Sequence, residues 1–245
     1  MFTFDNKTIL IVGGATGIGR ATAQMAADHG AKVLLASRSA EKLAKAASEI
    51  GKGSEVMPVD MTDEAAVKSW AANLPSIDYL VISASSATHG PFATAETAPL
   101  RQMFDAKFFG PYVTAREVLP KINDGGSVML FSGVLSRRPG ENCAGLGAVN
   151  GAIEALTRAL ALELGPKIRV NCVSPGMVRT EAYDAVPEAA RNAMYESTGA
   201  SLPVGRVGLP EEISLAVLSA LANRYLTGQV IDVDGGHMIR QYASR

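Results

Sequence analysis

This chain of 245 residues has little of what metal sites, disulfide frameworks and charged interaction surfaces require. It contains two cysteines, three histidines and no CxxC pair, which argues against a zinc site or a disulfide framework and fits a reducing compartment. Charged residues make up 19% of the chain, and the net charge is −1. This balance gives no basic footprint for nucleic acid or an anionic membrane, so we expect a small-molecule partner.

Long apolar runs are also missing. No uninterrupted apolar stretch reaches membrane-spanning length, and the first residues do not have the pattern of a secretory leader. We therefore expect a soluble, cytoplasmic protein. A hydrophobic fraction of 47% is sufficient for a sizeable core, and no repeat or charged linker divides residues 1–245, so we predict a single domain.

Short β-branched runs alternate with longer segments whose apolar residues recur every three or four positions. This alternation is typical of α/β proteins in which helices cover both faces of a parallel sheet. Strands are predicted at residues 8–12, 32–36, 55–59, 79–83, 127–132, 169–173 and 229–233. Helices are predicted at residues 17–29, 40–50, 63–73, 100–119, 145–164 and 210–222. The expected fold is a Rossmann-like, doubly wound sheet of about seven strands, with irregular segments 90–99 and 174–210 as a candidate substrate loop and lid.

Glycines cluster where the first predicted strand meets the first predicted helix. Residues 13–19 read GGATGIG. Such glycines permit a tight turn and let backbone N–H groups approach a pyrophosphate, which the helix N-terminus also attracts. The alternative is a purely structural turn. The order of strand, glycine turn and helix favours dinucleotide binding.

The end of the second predicted strand distinguishes between the two nicotinamide dinucleotides. An acidic residue here would accept hydrogen bonds from the adenosine ribose, but the chain has Ser37 and Arg38. Ser37 leaves room, and Arg38 offers a cation to a 2′-phosphate. NADP(H) is therefore favoured over NAD(H). The alternative is that Arg38 is a solvated surface arginine.

The glycine segment resembles the TGxxxGIG fingerprint of the short-chain dehydrogenase/reductase family, with Val12 in place of the usual threonine. The resemblance covers almost the whole chain, because motifs also recur at Asp60, Asn171 and residues 175–180, 227–229 and 234–236. It implies that Asp60 lies by the adenine and Thr180 near the nicotinamide amide, although Asp60 could instead cap the following turn. The predicted cofactor-binding residues are Gly13, Thr16, Gly17, Ile18, Gly19, Ser37, Arg38, Asp60, Met61, Ala84, Pro175, Gly176, Val178 and Thr180.

The resemblance also assigns the positions of the catalytic groups. The family uses a Ser to orient the carbonyl, a Tyr as acid/base, a Lys four residues later that lowers the Tyr pKa and binds the nicotinamide ribose, and an Asn that holds a relay water. These positions align with Gly133, Leu146, Asn150 and Lys107, respectively. None carries the family's residue. Because a positioned acid contributes ~10²–10⁴-fold, ordinary ketone turnover is expected to be very slow.

Several residues are candidate replacements. Lys107 and Asn150 look like an exchange of the family's Asn and Lys, and Lys107 has the length to reach the ribose or the substrate. The alternative is a lysine solvated at a helix edge. His89, Glu141 and Cys143 lie in segments expected to border the substrate space and are further candidate proton donors, although polar loop residues are usually only solvated.

Two serines lie near the predicted site, and neither is expected to assist catalysis or cofactor binding. Ser132 precedes the vacant serine position, but strand alternation predicts that it points to the opposite face of the sheet. Ser85 stands where the family has a glycine, so its side chain is expected to crowd the cofactor and to weaken or reposition its binding.

Three hypotheses follow. The first is an atypical NADP(H)-dependent oxidoreductase whose acceptor is activated enough, for example conjugated or cationic, to need no tyrosine-type acid. The second is a catalytically silent NADP(H)-binding sensor or partner subunit. The third, cofactor-free chemistry, ranks last because the chain keeps Gly13, Gly17, Gly19 and Arg38. The resemblance also implies a homodimer or homotetramer. The apolar positions Ala155, Leu162 and Phe109 are compatible with this, and helices that bury two faces inside a monomer would look similar.

Overall fold

Near-continuous apolar runs form a parallel sheet that is covered by helices on both faces. The computed structural model describes residues 2–83 and 86–240. Its strands are β1 (Thr8–Val12), β2 (Lys32–Ala36), β3 (Glu55–Val56), β4 (Ile77–Ile82), β5 (Ile122–Phe131), β6 (Arg169–Pro175) and β7 (Val230–Val233). All pair in parallel, in the order β3-β2-β1-β4-β5-β6-β7.

Helices pack on the two faces according to the alternation of side chains along the strands. They are α1 (Gly17–Asp28), α2 (Ala40–Ile50), α3 (Glu64–Ala72), α4 (Thr97–Phe104), α5 (Gly110–Val118), α6 (Ala144–Leu164), α7 (Glu188–Ala200) and α8 (Pro210–Ala222). Ile9 and Ile11 of β1 share a core with α1, α2 and α8, whereas Leu10 and Val12 share one with α3, α5 and α6.

The predicted doubly wound α/β fold is confirmed, although several elements differ. Strand β3 is shorter than the predicted residues 55–59, and β5 begins at Ile122 rather than at residue 127. Residues 100–119 were predicted as one helix, but a π-helical turn at Asp105–Phe109 separates α4 from α5. Residues 174–210 were predicted to be irregular, and this was wrong for Glu188–Ala200, which form α7. Only Tyr195 and Gly199 of α7 are buried, and the helix is polar on average, so its sequence resembles that of a loop.

The parallel arrangement brings the segments that follow the strands to one edge of the sheet. This is where ligands bind in open α/β sheets, at the carboxyl ends of the strands. The glycine turn follows β1, Ser37 follows β2, Gly133 follows β5, and residues 176–180 follow β6. Among residues 2–83 and 86–240, none of the helices has the length and apolarity needed to cross a membrane.

Candidate functional site

The glycine turn has the backbone geometry that its sequence predicts. Gly13 and Gly17 have φ angles of +88° and +55°, which favour glycine. A side chain at Gly19 would collide with the carbonyl oxygen of Gly13, so its absence lets the turn close. Thr16 precedes α1 without capping it, and the first turn, which includes Ile18, has no acidic residue. The N-terminus of α1 therefore keeps backbone N–H groups available to an anion.

The segment after β6 lies against this turn. A Cβ atom on Gly17 would be 3.5 Å from Cβ of Thr180, and the backbone N–H of Gly17 donates a hydrogen bond of 2.9 Å to the carboxylate of Glu181. Sequence reasoning missed Glu181, because its partner lies 164 residues away and nothing local indicates the contact.

Other predicted residues of this segment have packing contacts. A Cβ atom on Gly176 would be 2.9 Å from Cα of Asp234, so Gly176 permits close packing of the segments that follow β6 and β7. Val178 is buried and forms a β-bridge with Gly208. Pro175 is the last residue of β6. The predicted contact Ala84 and its neighbour Ser85 lie outside the described residues.

The end of β2 contains an orphaned polar atom. The hydroxyl of Ser37 is buried and has no hydrogen-bond partner in the described part of the chain. Arg38 is exposed, and within those same residues it makes no ion pair or hydrogen bond. A buried hydroxyl without a partner costs free energy unless a ligand or water satisfies it. Ser37 and Arg38 thus place an unsatisfied hydroxyl and an exposed guanidinium side by side after β2.

Asp60 has a structural partner. Its Oδ1 accepts hydrogen bonds from the backbone N–H of Thr62 at 3.0 Å and from the Thr62 hydroxyl at 2.8 Å. The backbone hydrogen bond is the main cause that lowers the pKa of Asp60, and the charge of Arg38 contributes. The turn-capping alternative is therefore present in the structure, and contact with adenine stays a prediction. Met61 packs against Gly110 at the start of α5.

Lys107 lies in the π-helical turn and points into the protein. It is 5% exposed, and its Nζ donates a hydrogen bond of 3.3 Å to the backbone oxygen of Ser132. The alternative of a solvated lysine is therefore wrong. Burial lowers the pKa of Lys107 from 10.5 to about 8, and the nearby Cys172 opposes this shift weakly. A π-turn rotates the residues it contains relative to a regular helix, which sequence periodicity does not show.

Gly133 and Asn150 occupy the same small space. Asn150 is 2% exposed, and its Nδ2 would be 3.0 Å from a Cβ atom on Gly133. The Asn150 carboxamide thus fills the room that a side chain at position 133 would need. Oδ1 of Asn150 has no hydrogen-bond partner among residues 2–83 and 86–240. Leu146, one turn earlier in α6, packs against Met103 and Val149.

A buried carboxylate joins the end of β5 to α6. Glu154 is 5% exposed, and Oε1 accepts hydrogen bonds from the hydroxyls of Ser132, at 3.2 Å, and Ser136. Arg137 forms ion pairs with both Glu154 and Asp232. The hydroxyl of Ser132 thus already donates a hydrogen bond to Glu154. Sequence reasoning missed Glu154, because a single acidic residue in a mostly apolar helix does not indicate which residue it binds.

The three loop candidates lie in two segments that touch. The backbone N–H of Gly90 donates to the carbonyl of Asn142, which brings the loop with His89 beside the loop with Glu141 and Cys143. His89 and Glu141 are exposed. Cys143 is partly buried, and burial raises the pKa of its thiol. It lines a groove of about 510 Å³ together with Phe92, Leu135 and Ser136.

Comparison with known proteins identifies the family of this chain. Residues 13–238 match a family model described as enoyl-(acyl carrier protein) reductase. Carbonyl reductase family member 4 of Xenopus laevis is 30% identical over 94% of this chain and 98% of its own length. The 3-oxoacyl-[acyl-carrier-protein] reductase of Chlamydia muridarum is also 30% identical, over 94% of this chain and 97% of its own.

Solved structures show the same fold. A small-chain dehydrogenase in complex with NADPH is 37% identical and superposes with a TM-score of 0.83 over 95% of this chain and 98% of that one. A short-chain type dehydrogenase/reductase from Mycobacterium ulcerans is 26% identical, with a TM-score of 0.89 over 98% and 92% of the two chains. The chain belongs to the short-chain dehydrogenase/reductase family of oxidoreductases.

Proposed function

We propose that this protein is an NADP(H)-dependent oxidoreductase whose acceptor is activated enough to be reduced without a tyrosine-type acid. The observation that carries this proposal is the coexistence of two features at one edge of the sheet. The turn that would bind a dinucleotide is built, with positive φ angles at Gly13 and Gly17 and no local side-chain cap on α1. The position that would hold the acid is Leu146, which cannot donate a proton.

The residues present fit a nicotinamide dinucleotide. Gly17 and Ile18 would hold the pyrophosphate, and Ser37 and Arg38 the 2′-phosphorylated ribose. Asn150 aligns with the family's Lys, which contacts the nicotinamide ribose, and its unpartnered Oδ1 would accept a hydrogen bond from a ribose hydroxyl. A bound reduced nicotinamide supplies a hydride. The NADPH complex of the 37% identical dehydrogenase supports the choice of this dinucleotide.

The missing acid limits the acceptors that can react. Reduction of a simple ketone places negative charge on an alkoxide, which is far more basic than water at neutral pH and needs a donor. Addition of hydride to a conjugated acceptor spreads the charge over an enolate, and a cationic acceptor becomes neutral. The enoyl reductase description of the matching family model supports a conjugated acceptor. Lys107 is the candidate cation near the developing charge, because its Nζ contacts the residue before Gly133.

Rapid mixing of the NADPH-loaded protein with acceptors of different classes tests the proposal. We expect loss of NADPH absorbance with at least one enone, iminium ion or quinone, because these acceptors need no strong acid. Simple aliphatic ketones should react very slowly. Fluorescence titration with NADPH first establishes binding. Tight binding without hydride loss to any acceptor would contradict the proposed reaction.

Arg38 is expected to determine the preference for NADP(H). The variant R38A should raise the Kd for NADPH about tenfold, since one charge-assisted contact with the phosphate is lost, and should leave the Kd for NADH unchanged. Fluorescence titration with both nucleotides measures this. R224A is a matched control, because Arg224 is exposed near the start of β7, at the opposite edge of the sheet. Equal effects of R38A on NADPH and NADH would contradict the assignment.

A sensor or partner subunit is the second candidate function. It is favoured by the simultaneous occupation of the four assigned positions by Lys107, Gly133, Leu146 and Asn150, which form tight packing contacts rather than a reactive group. Affinity capture with and without NADPH tests it. A partner that binds only the NADPH-loaded or only the nucleotide-free protein would support the sensor function. Absence of such a partner would count against it.

We also propose a homodimer or homotetramer. All three apolar positions named from the sequence, Ala155, Leu162 and Phe109, are exposed here, with Leu162 at 86% and Phe109 at 53%. Large apolar side chains at these exposures are typical of surfaces that associate. Light scattering coupled to gel filtration measures the oligomeric state.

A further inference from the structure

Glu181 occupies the position where the glycine turn would meet an anion. It opens a short 3-10 turn at Glu181–Tyr183, and its Oε2 accepts the hydrogen bond from the backbone N–H of Gly17 at 2.9 Å. A Cβ atom on Gly17 would also be within 3.6 Å of Oε2 and of the Thr180 side chain. The segment after β6 thus covers the start of α1.

The start of α1 differs from the starts of α2 and α3. The side chains of Ser39 and Asp63 cap α2 and α3 from within the same segment. Helix α1 has no such cap, because the side chain of Thr16 makes no capping bond and the first turn contains no acidic residue. Glu181 therefore supplies from a distant part of the chain the negative charge that α1 does not have locally.

We propose that the Glu181 carboxylate competes with the dinucleotide pyrophosphate for the N-terminus of α1, so that cofactor binding requires this carboxylate to leave. The inference rests on the proposed function, since it assumes that a dinucleotide binds at the glycine turn. Both anions accept from the same backbone N–H, and they repel each other. In the nucleotide-free protein, the hydrogen bond between Gly17 and Glu181 closes the N-terminus of α1 to other anions. In the nucleotide-bound protein this hydrogen bond is broken.

The variant E181Q tests the competition with little change in shape. Its amide oxygen can still accept from Gly17, but the charge-assisted component is lost. We expect the Kd for NADPH to fall about tenfold, because apparent affinity rises in proportion to the open fraction. The Kd for adenosine 2′-monophosphate, which has no pyrophosphate, should stay unchanged. E188Q is the matched control, because Glu188 is an exposed carboxylate at the start of α7.

The contact itself can be observed without nucleotide. In the nucleotide-free protein, the amide resonance of Gly17 should shift in E181Q and not in E188Q. Equal Kd values for NADPH in the wild type and E181Q would overturn the inference while leaving the proposed function intact. An equal gain in affinity for adenosine 2′-monophosphate would also overturn it, because loss of the Glu181 charge would then favour any anionic ligand. Failure of both proteins to bind NADPH would instead overturn the proposed function and the inference together.

Discussion

The variant K107N/G133S/L146Y/N150K is expected to reduce simple ketones about 100- to 10,000-fold faster than the wild type, which is the contribution of a positioned acid. All four changes are needed together. A serine at position 133 collides with the Asn150 carboxamide, whose Nδ2 would be 3.0 Å from its Cβ atom. A tyrosine at 146 has an ordinary phenol pKa unless a lysine stands one turn later. Steady-state NADPH oxidation with an aliphatic ketone measures the gain.

The triple variant K107N/G133S/N150K isolates the phenol, because it differs from the fourfold variant only at position 146. It should remain as slow as the wild type. Circular dichroism and the Kd for NADPH establish that each variant folds and binds. A folded, NADPH-binding fourfold variant without any gain would contradict the assignment of these positions. Rapid ketone reduction by the wild type would contradict the absence of an acid.

The variant K107M is expected to raise the free energy of unfolding at pH 7 by about 2 kcal/mol. Lys107 has a pKa of about 8 in the folded protein, against 10.5 when solvated. Below pH 8 the amine is charged in both states, and its burial costs about 3 kcal/mol. Loss of the hydrogen bond to the Ser132 oxygen offsets about 1 kcal/mol of the gain.

The pH dependence of the stability gain in K107M distinguishes the removal of a buried charge from a general packing effect. Between pH 8 and 10.5 the folded amine is neutral while the unfolded one still binds a proton, so the wild type gains stability as pH rises. The advantage of K107M should therefore shrink over that range. Urea unfolding at pH 7, 8.5 and 10 measures it, with K68M on the exposed part of α3 as control. An advantage that stays constant or grows with pH would contradict the buried charge.

The architecture could be predicted from the sequence because it depends on local patterns. The strands of a covered parallel sheet are apolar on both faces, so β1 reads as an unbroken run. The glycine turn depends on backbone conformations that only glycine adopts easily, as the positive φ angles of Gly13 and Gly17 show. These signals lie within a few residues of one another.

The interior of the site could not be predicted, because its contacts join distant segments. Burial of Lys107 depends on a π-helical turn and on an acceptor immediately after β5, the Ser132 oxygen. Glu154 finds its partners in the segment after β5, and Glu181 finds its partner in α1. An isolated lysine or glutamate in a sequence is usually solvated. Only the folded chain shows which of them are enclosed.

The network around Glu154 makes two segments that follow β5 and β6 unequally constrained. Residues 134–138 are fastened by Glu154 and Asp232, and Arg138 donates to the carbonyls of Met238 and Arg240. Residues 180–200, which follow β6, are held by few buried side chains, and those within α7 are Tyr195 and Gly199. Residues 134–138 should therefore be rigid, whereas the α7 segment can yield at small free-energy cost. Acceptors of different sizes should be accommodated by displacement of the α7 side alone, which makes that helix the place to alter when a broader or narrower choice of acceptor is wanted.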